Sequence, residues 1–309
     1  QRFSYMTNNN TDTLFCRRYK VEKNEAYNKL IDETSNNPYQ AGDLTVIRYM
    51  DEDGNRVFEF KDGWDRTILK RVIDPSQEET RRHLDTYFVY DIYGNLCFVL
   101  PPTMALLTAT TQDMEQLVVD YGYSYTYDPF QHRLSQRFPG GGETICLHDD
   151  GGRLTLYQTP NMKAKKQWYS IEYDNLNRII KKEIITFPYE LTTTAIYKTL
   201  IVDNNANDCC QRIRNAASKF GYTENYWYSE YPSCKLPFQP VSNIVSESEI
   251  VAVPTGLKTV EQMPIYGKET NSYVSRTYYY DHNDQLRQIV ELNHLGGYTV
   301  KSFKYNYIG

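Results

Sequence analysis

The 309-residue sequence lacks most of the marks of an enzyme, a membrane protein or a nucleic-acid binder. No apolar run approaches the roughly 18 residues that a membrane-crossing helix takes, so no membrane insertion is expected. Gln1 is not followed by a charged segment and an apolar stretch, so no signal peptide is visible. A chain that opens in this way is expected to be a mature form or a piece of something longer. There is no basic block. The 34 Lys and Arg are outnumbered by 39 Asp and Glu, for a net charge of −5. The general electrostatic grip on phosphate that nucleic-acid binding needs is therefore missing.

Metal and redox signatures are also absent. Six cysteines, at 16, 97, 146, 209, 210 and 234, form no C-x-x-C and have no histidine pair at zinc-ligand spacing beside them. Cys209 and Cys210 are neighbours, a poor geometry for a disulfide with each other. Cysteine usage thus points to no compartment. The five histidines, at 83, 132, 148, 282 and 294, are scattered, and no H-E-x-x-H, G-x-S-x-G, P-loop or dinucleotide fingerprint occurs. Gly140, Gly141 and Gly142 follow Pro139 with no helical pattern behind them, which reads as a loop. Asp51-Glu52-Asp53-Gly54-Asn55 lacks the spaced third ligand and closing Glu of a calcium loop. An acid pair for glycoside hydrolysis is defined by its separation in space, and the sequence singles none out. No catalytic residue, no metal and no cofactor is expected.

What is abundant is tyrosine, 29 residues against 3 Trp and 16 Gly. Tyr favours strands and half-buried faces, where the ring packs and the hydroxyl stays wet. A short motif also returns. YDIYGNL (90–96) reappears as HDDGGRL (148–154), YDNLNRI (173–179) and YDHNDQL (280–286), with looser copies MDEDGNR (50–56) and KDGWDRT (61–67). YDPFQHRL (127–134) reads as a copy carrying one extra residue. The anchors are Asp51, Asp62, Asp91, Asp128, Asp149, Asp174 and Asp281.

Three residues after the anchor stand Gly54, Asp65, Gly94, Gly152, Asn177 and Asp284 in the six copies read as free of insertion. All three residue types tolerate the positive φ that a tight reversal between twisted strands requires. The anchoring Asp can accept a backbone N–H two residues on, closing an Asx-turn. Tyr123, Tyr125 and Tyr127 alternate with Ser124 and Thr126, and Tyr169, Ile171 and Tyr173 alternate with Ser170 and Glu172. Alternation beside a turn signal predicts β-hairpins. Met50 and Lys61 hold the place that Tyr takes before Asp91, Asp128, Asp174 and Asp281. Anchors at 128, 149 and 174 fit one hairpin per repeat, with neighbours pairing into a continuing sheet.

Y-D-x-x-G-R-L with a period in the low twenties resembles the YD repeat of bacterial RHS-type proteins, shared with toxin-complex shell proteins and teneurins. The resemblance runs through 50–71, 86–102 and 123–141, is similar in order to the N-terminal region of RHS proteins, and resumes at 276–309. His148 departs from the pattern in place of Tyr, and residues 187–272 contain no YD turn. The resemblance implies an all-β array of stacked antiparallel hairpins serving as part of a secreted or cell-surface shell. It also implies the rest of that shell as partner. Many shells of this kind end in a core that cuts itself at Asp-Pro-x-Gly, and Asp74-Pro75-Ser76-Gln77 and Asp128-Pro129-Phe130-Gln131 both lack the Gly.

Within 1–309, read as a single domain, 187–272 is expected to be a non-repeat insertion. Residues 207–220 read as a helix capped by Asn207 or Asp208, with Ile213, Ala216, Ala217 and Phe220 inward and Gly221 as its end. Residues 111–122 read as a weaker helix stopped by Gly122, and 191–202 as a strand. The aromatic stretch 221–240 is expected to be an irregular excursion. There Tyr222, Tyr226, Trp227 and Tyr228 could form one exposed patch that binds a glycan or a protein, the alternative to a purely structural role. The last strand, Val300 to Tyr307, carries no Pro to discourage edge pairing, and further hairpins are expected to continue from it.

Overall fold

The computed structural model describes residues 2–9, 11–24, 27–74, 76, 83–108, 113–203, 205–265, 273–293 and 295–305. The fold is all-β, antiparallel throughout its ladders, with five short α-helices among the described residues. By contacts the chain divides into two compact units. The first holds residues 1–153, 158–161 and 191–210; the second holds 154–157, 162–190 and 211–309.

The first unit begins with β1 (Arg2–Thr7), followed by a separate hairpin of β2 (Tyr19–Asn24) and β3 (Tyr27–Asp32). Then come β4 (Thr45–Met50), β5 (Arg56–Lys61), β6 (Thr67–Ile73), β7 (His83–Tyr90) and β8 (Leu96–Leu100). Helices α1 (Pro102–Leu107) and α2 (Met114–Tyr121) precede β9 (Tyr123–Tyr127), β10 (Arg133–Phe138) and β11 (Gly142–His148). From β4 to β11 each strand pairs with the next, and β1 closes on β4. The buried face carries Val46, Phe58, Phe60, Leu69, Tyr87, Val89, Phe98 and Leu100, with Met104 of α1 and Leu117 and Val118 of α2 against it. Asp113 caps α2 through the Gln116 N–H, and Thr111 and Gln112 of the expected helix lie outside the described residues.

The second unit runs through β12 (Leu154–Gln158), the single turn α3 (Pro160–Lys163), β13 (Gln167–Tyr173) and β14 (Ile179–Thr186). In sequence, α4 (Thr193–Asp203), which belongs to the first unit, and α5 (Ala206–Asn215), of which residues 206–210 belong to the first unit and 211–215 to the second, stand before β15 (Lys219–Tyr228). The series ends with β16 (Lys258–Pro264), β17 (Tyr273–Tyr280), β18 (Leu286–Leu292) and β19 (Tyr298–Ser302), again each paired with its successor.

Several sequence expectations change here. Residues 191–202 are mostly helix, not strand: α4 buries Ile196, Tyr197 and Leu200, which lie on one helical face, and that burial outweighs the strand preference of its β-branched residues. The following helix stops at Asn215, because Lys219 and Phe220 already pair with Thr186 and Ile185, and Gly221 sits inside a strand. Lys219–Tyr228 is a regular strand rather than an irregular excursion, and 187–272 contributes both β15 and β16 to the ladder. The final strand is Tyr298–Ser302, shorter than expected, and Tyr307 lies outside the described residues. Among the described residues no helix is long and apolar enough to cross a membrane.

Candidate functional site

The seven anchoring Asp all sit in strand-to-strand turns, and the turns share one set of bonds. In the Asp149 turn, the Asp149 N–H donates to the Arg153 carbonyl and the Gly152 N–H returns to the Asp149 carbonyl, both at 2.9 Å. The Asp149 Oδ1 accepts the N–H of Gly151 at 3.0 Å and of Arg153 at 2.9 Å, while Oδ2 takes Arg153 Nε at 2.7 Å. One carboxylate thereby satisfies two turn amides and one side chain. The same pattern recurs at Asp62 with Trp64 and Arg66, at Asp91 with Tyr93 and Asn95, and at Asp174 with Leu176 and Arg178. At Asp51 the Oδ1 contact is with Asn55, and at Asp281 with Asn283 and Gln285. Burial works to raise the Asp174 carboxyl, but the Arg178 and Leu176 amides and the Arg178 side chain outweigh it and hold it below the ordinary range.

The third residue after each anchor has positive φ: Gly54 at 84°, Asp65 at 61°, Gly94 at 88°, Gly152 at 73°, Asn177 at 63° and Asp284 at 60°. Gln131, at 70°, occupies the same position after Asp128, and the Phe130 and His132 amides bond Asp128 Oδ1 at 2.9 and 2.8 Å. The Asp128 copy therefore contains no extra residue. The apparent insertion is Leu134, which sits at a β-bulge between Arg133 and Ser135. Cys97, Ile180, Ile68 and Arg287 are skipped at the matching place in the Asp91, Asp174, Asp62 and Asp281 hairpins.

Two further turns escape the sequence motif. Asn293 replaces Asp: its Oδ1 accepts the Leu295 and Gly297 amides at 3.0 Å each, and Gly296 has φ 82°. Asn has the same carbonyl acceptor, so Asn-x-x-Gly was a readable signal. The other follows β15, where the Ser229 N–H donates to the Leu257 carbonyl at 3.0 Å and Gly256 has φ 77°. These are the first-to-fifth bond and the fourth-residue dihedral of the other turns, with a long segment lodged between them; the Gly256 N–H donates to the Ser229 hydroxyl, at 2.8 Å, instead of to its carbonyl. That segment sends Tyr231 and Phe238 onto the buried Tyr279, with ring centroids 5.3 Å away in both pairs, and packs Leu236 and Ile250 nearby.

The Tyr before an anchor ties its hairpin to the preceding one. Tyr90 Oη donates to the Thr67 carbonyl, Tyr127 Oη to Leu96, Tyr173 Oη to Leu154 and Tyr280 Oη to Lys258, at 2.8 to 3.2 Å. Each acceptor is the first residue of the return strand after the earlier turn. Tyr305 Oη makes the equivalent bond to Leu286, at 2.8 Å. The fifth turn residue reaches the other way. Arg66 lies 4.8 Å over the Tyr90 ring and Arg178 4.4 Å over the Tyr228 ring, and Arg178 also donates to the Gly256 carbonyl. Where His148 replaces Tyr, His132 takes the Arg role, with the imidazole centroids 5.4 Å apart.

The expected aromatic patch does not form as one surface. Tyr222 and Tyr226 flank Glu224 on the same face of β15, both hydroxyls donating to its carboxylate at 3.0 and 2.6 Å. Strand alternation puts Trp227 on the opposite face, across from the buried Val260. All four, Tyr222, Tyr226, Trp227 and Tyr228, are half-buried. Burial and the neighbouring Glu224 push the Tyr222 hydroxyl up to about 12 and raise Tyr226 as well. The same face continues into Glu261, which receives Arg276 at 2.7 Å, Tyr278 at 2.8 Å and Lys258 at 2.5 Å. Burial works to raise that carboxyl; the Lys258 and Tyr278 hydrogen bonds and Arg276 outweigh it, and Glu261 is lowered. These acids are tied up by fixed partners. Among the described residues no group of three or more His, Cys, Asp or Glu could hold a metal ion, and the six cysteines are free thiols.

No family model matches the chain, and no curated protein matches it. Solved structures do. A crystal structure of TcdB2-TccC3-Cdc42 covers 87% of this chain at 15% identity and TM-score 0.41, and the Photorhabdus luminescens Tc holotoxin pore covers 94% at 14% identity and TM-score 0.41. A crystal structure of TcdB2-TccC3 covers 96% at 13% identity and TM-score 0.38. The chain spans 14%, 13% and 17% of the lengths of those three chains.

Proposed function

We propose that the chain is a non-catalytic structural segment of a secreted or cell-surface YD-repeat wall, joined to the rest of that wall as its partner. The observation that supports this reading is the recurrence of one bond set in successive turns. The Asp, the positive-φ residue and the preceding Tyr are spent on holding each hairpin and tying it to its neighbour. A hydrolase keeps a carboxylate or nucleophile with spare capacity facing a cleft. Here the anchoring carboxylates accept two or three bonds each from their own turns.

The test is incubation of the 309-residue chain with oligosaccharide and peptide panels, read by mass spectrometry. No turnover is expected. Turnover that a single carboxylate substitution abolishes would overturn the reading.

A further inference from the structure

The bond set of the turns makes demands on the first, fourth and fifth residues but none on the third side chain, whose backbone N–H alone is used. That third place is filled by Asp53, Gly151 and Asn283 in the Asp51, Asp149 and Asp281 turns, so folding does not require an apolar group there. Yet three successive turns of the first unit carry Trp64, Tyr93 and Phe130 at it. Trp64 is 80% exposed and Tyr93 63% exposed. Leaving large rings in water forgoes the stabilisation that burying them would give, and two such tips on adjacent hairpins are a patch rather than scatter.

The rings are also set in place. Arg66 is held by Asp62 Oδ2 at 2.8 Å and lies between two rings, 4.7 Å from Trp64 and 4.8 Å from Tyr90. The Lys23 ammonium lies 5.7 Å over Tyr93. In each case one ring face is backed by a cation from the protein. Between the two tips lies a cavity of about 700 Å³, walled by Trp64, Arg66, Ile92 and Tyr93, with Lys20 and Val21 from β2.

Spacing and polarity decide the occupant. The Asp62, Asp91 and Asp128 turns join β5 to β6, β7 to β8 and β9 to β10, so successive turns stand two strands apart, about 10 Å. An extended β-1,4-linked glycan presents an equivalent pyranose face every second sugar, at a distance of the same order. Its C–H faces stack on aromatic rings while its hydroxyls meet the charged groups between them. A lipid would need a continuous apolar surface, and here Arg66 and Lys20 interrupt it. We infer that the turn tips bearing Trp64 and Tyr93 are a stacking site for an extended, neutral β-1,4-linked oligosaccharide. This site is separate from the Tyr222–Tyr228 strand and does not depend on the wall role of the chain.

The test uses the 309-residue chain and chitohexaose and cellohexaose as probes, by calorimetry and Trp fluorescence. Trp168 is buried and Trp227 half-buried, so Trp64 is the ring whose emission an external ligand should move most. Saturable binding is expected to at least one hexasaccharide, weaker for the disaccharide. Trp64→Ala and Tyr93→Ala should each weaken it about tenfold, with Trp64→Phe retaining most of it and the melting temperature unchanged. Failure to bind either hexasaccharide would overturn the inference. So would binding that survives Trp64→Ala, or tips that instead capture an apolar peptide or a phosphatidylcholine vesicle.

Discussion

The Tyr127 hydroxyl donates to the Leu96 carbonyl at 2.9 Å, joining the strand that enters the Asp128 turn to the strand that leaves the Asp91 turn. Tyr127 thereby does across hairpins what Asp128 does within one. Burial raises its hydroxyl to about 12, so it remains a donor throughout the neutral range.

Tyr127→Phe and Tyr173→Phe keep the ring and remove that single bond. Each is expected to lower unfolding free energy by about 1 kcal/mol, the net worth of an ordinary hydrogen bond. Urea denaturation followed by circular dichroism gives the value. Because the two bonds belong to different hairpins and share no partner, the double variant should lose close to the sum.

Asp149 is buried and holds three donors. Asp149→Ala leaves two amides and the Arg153 guanidinium without that acceptor and is expected to cost about 2–4 kcal/mol. Asp149→Asn keeps an Oδ1 acceptor and loses the charged contact, so it should cost about half as much. Equal losses for the two would show that the side chain acts as bulk rather than as an acceptor.

The hairpin anchors were legible because their chemistry closes within five residues: an Asp acceptor, a residue that tolerates positive φ, and a strand on either side. Longer connections were not. Ser229 and Leu257 close the same loop with a long segment between them, and no local signal joins the two. The Ile- and Thr-rich stretch beginning at Leu191 carries strand propensity, and only the burial of Ile196, Tyr197 and Leu200 makes it a helix. Composition alone presents residues 222–228 as a cluster of aromatics, because composition carries no face. Once they are in a strand, alternation sends Trp227 to the other side.

His148 stands where other hairpins have Tyr, and its pKa is lowered by burial first and by His132 second, with Arg133 adding to the effect and Asp128 and Asp149 opposing it. A histidine whose folded pKa lies below its unfolded value binds protons more readily when unfolded. Its contribution is complete above an unfolded pKa near 6.5 and is lost as pH falls through the folded value. The melting temperature should therefore drop as the pH falls below about 6.5. His148→Tyr, which restores the repeat's residue, should flatten that part of the profile. A variant with the same slope would place the titrating group elsewhere.

The central claim, that the Asp-centred turns are the structural units of this chain, is tested most directly by residue-resolved amide hydrogen exchange. Leu176 and Arg178 donate their amides to Asp174 Oδ1 at 2.8 and 2.9 Å, in a turn whose tip is exposed to water. Those two amides should exchange slowly, the amide of Asn175 between Asp174 and Leu176 should exchange fast, and Asp174→Ala should release the protected pair. Fast exchange at all three positions in the unsubstituted chain would contradict the account.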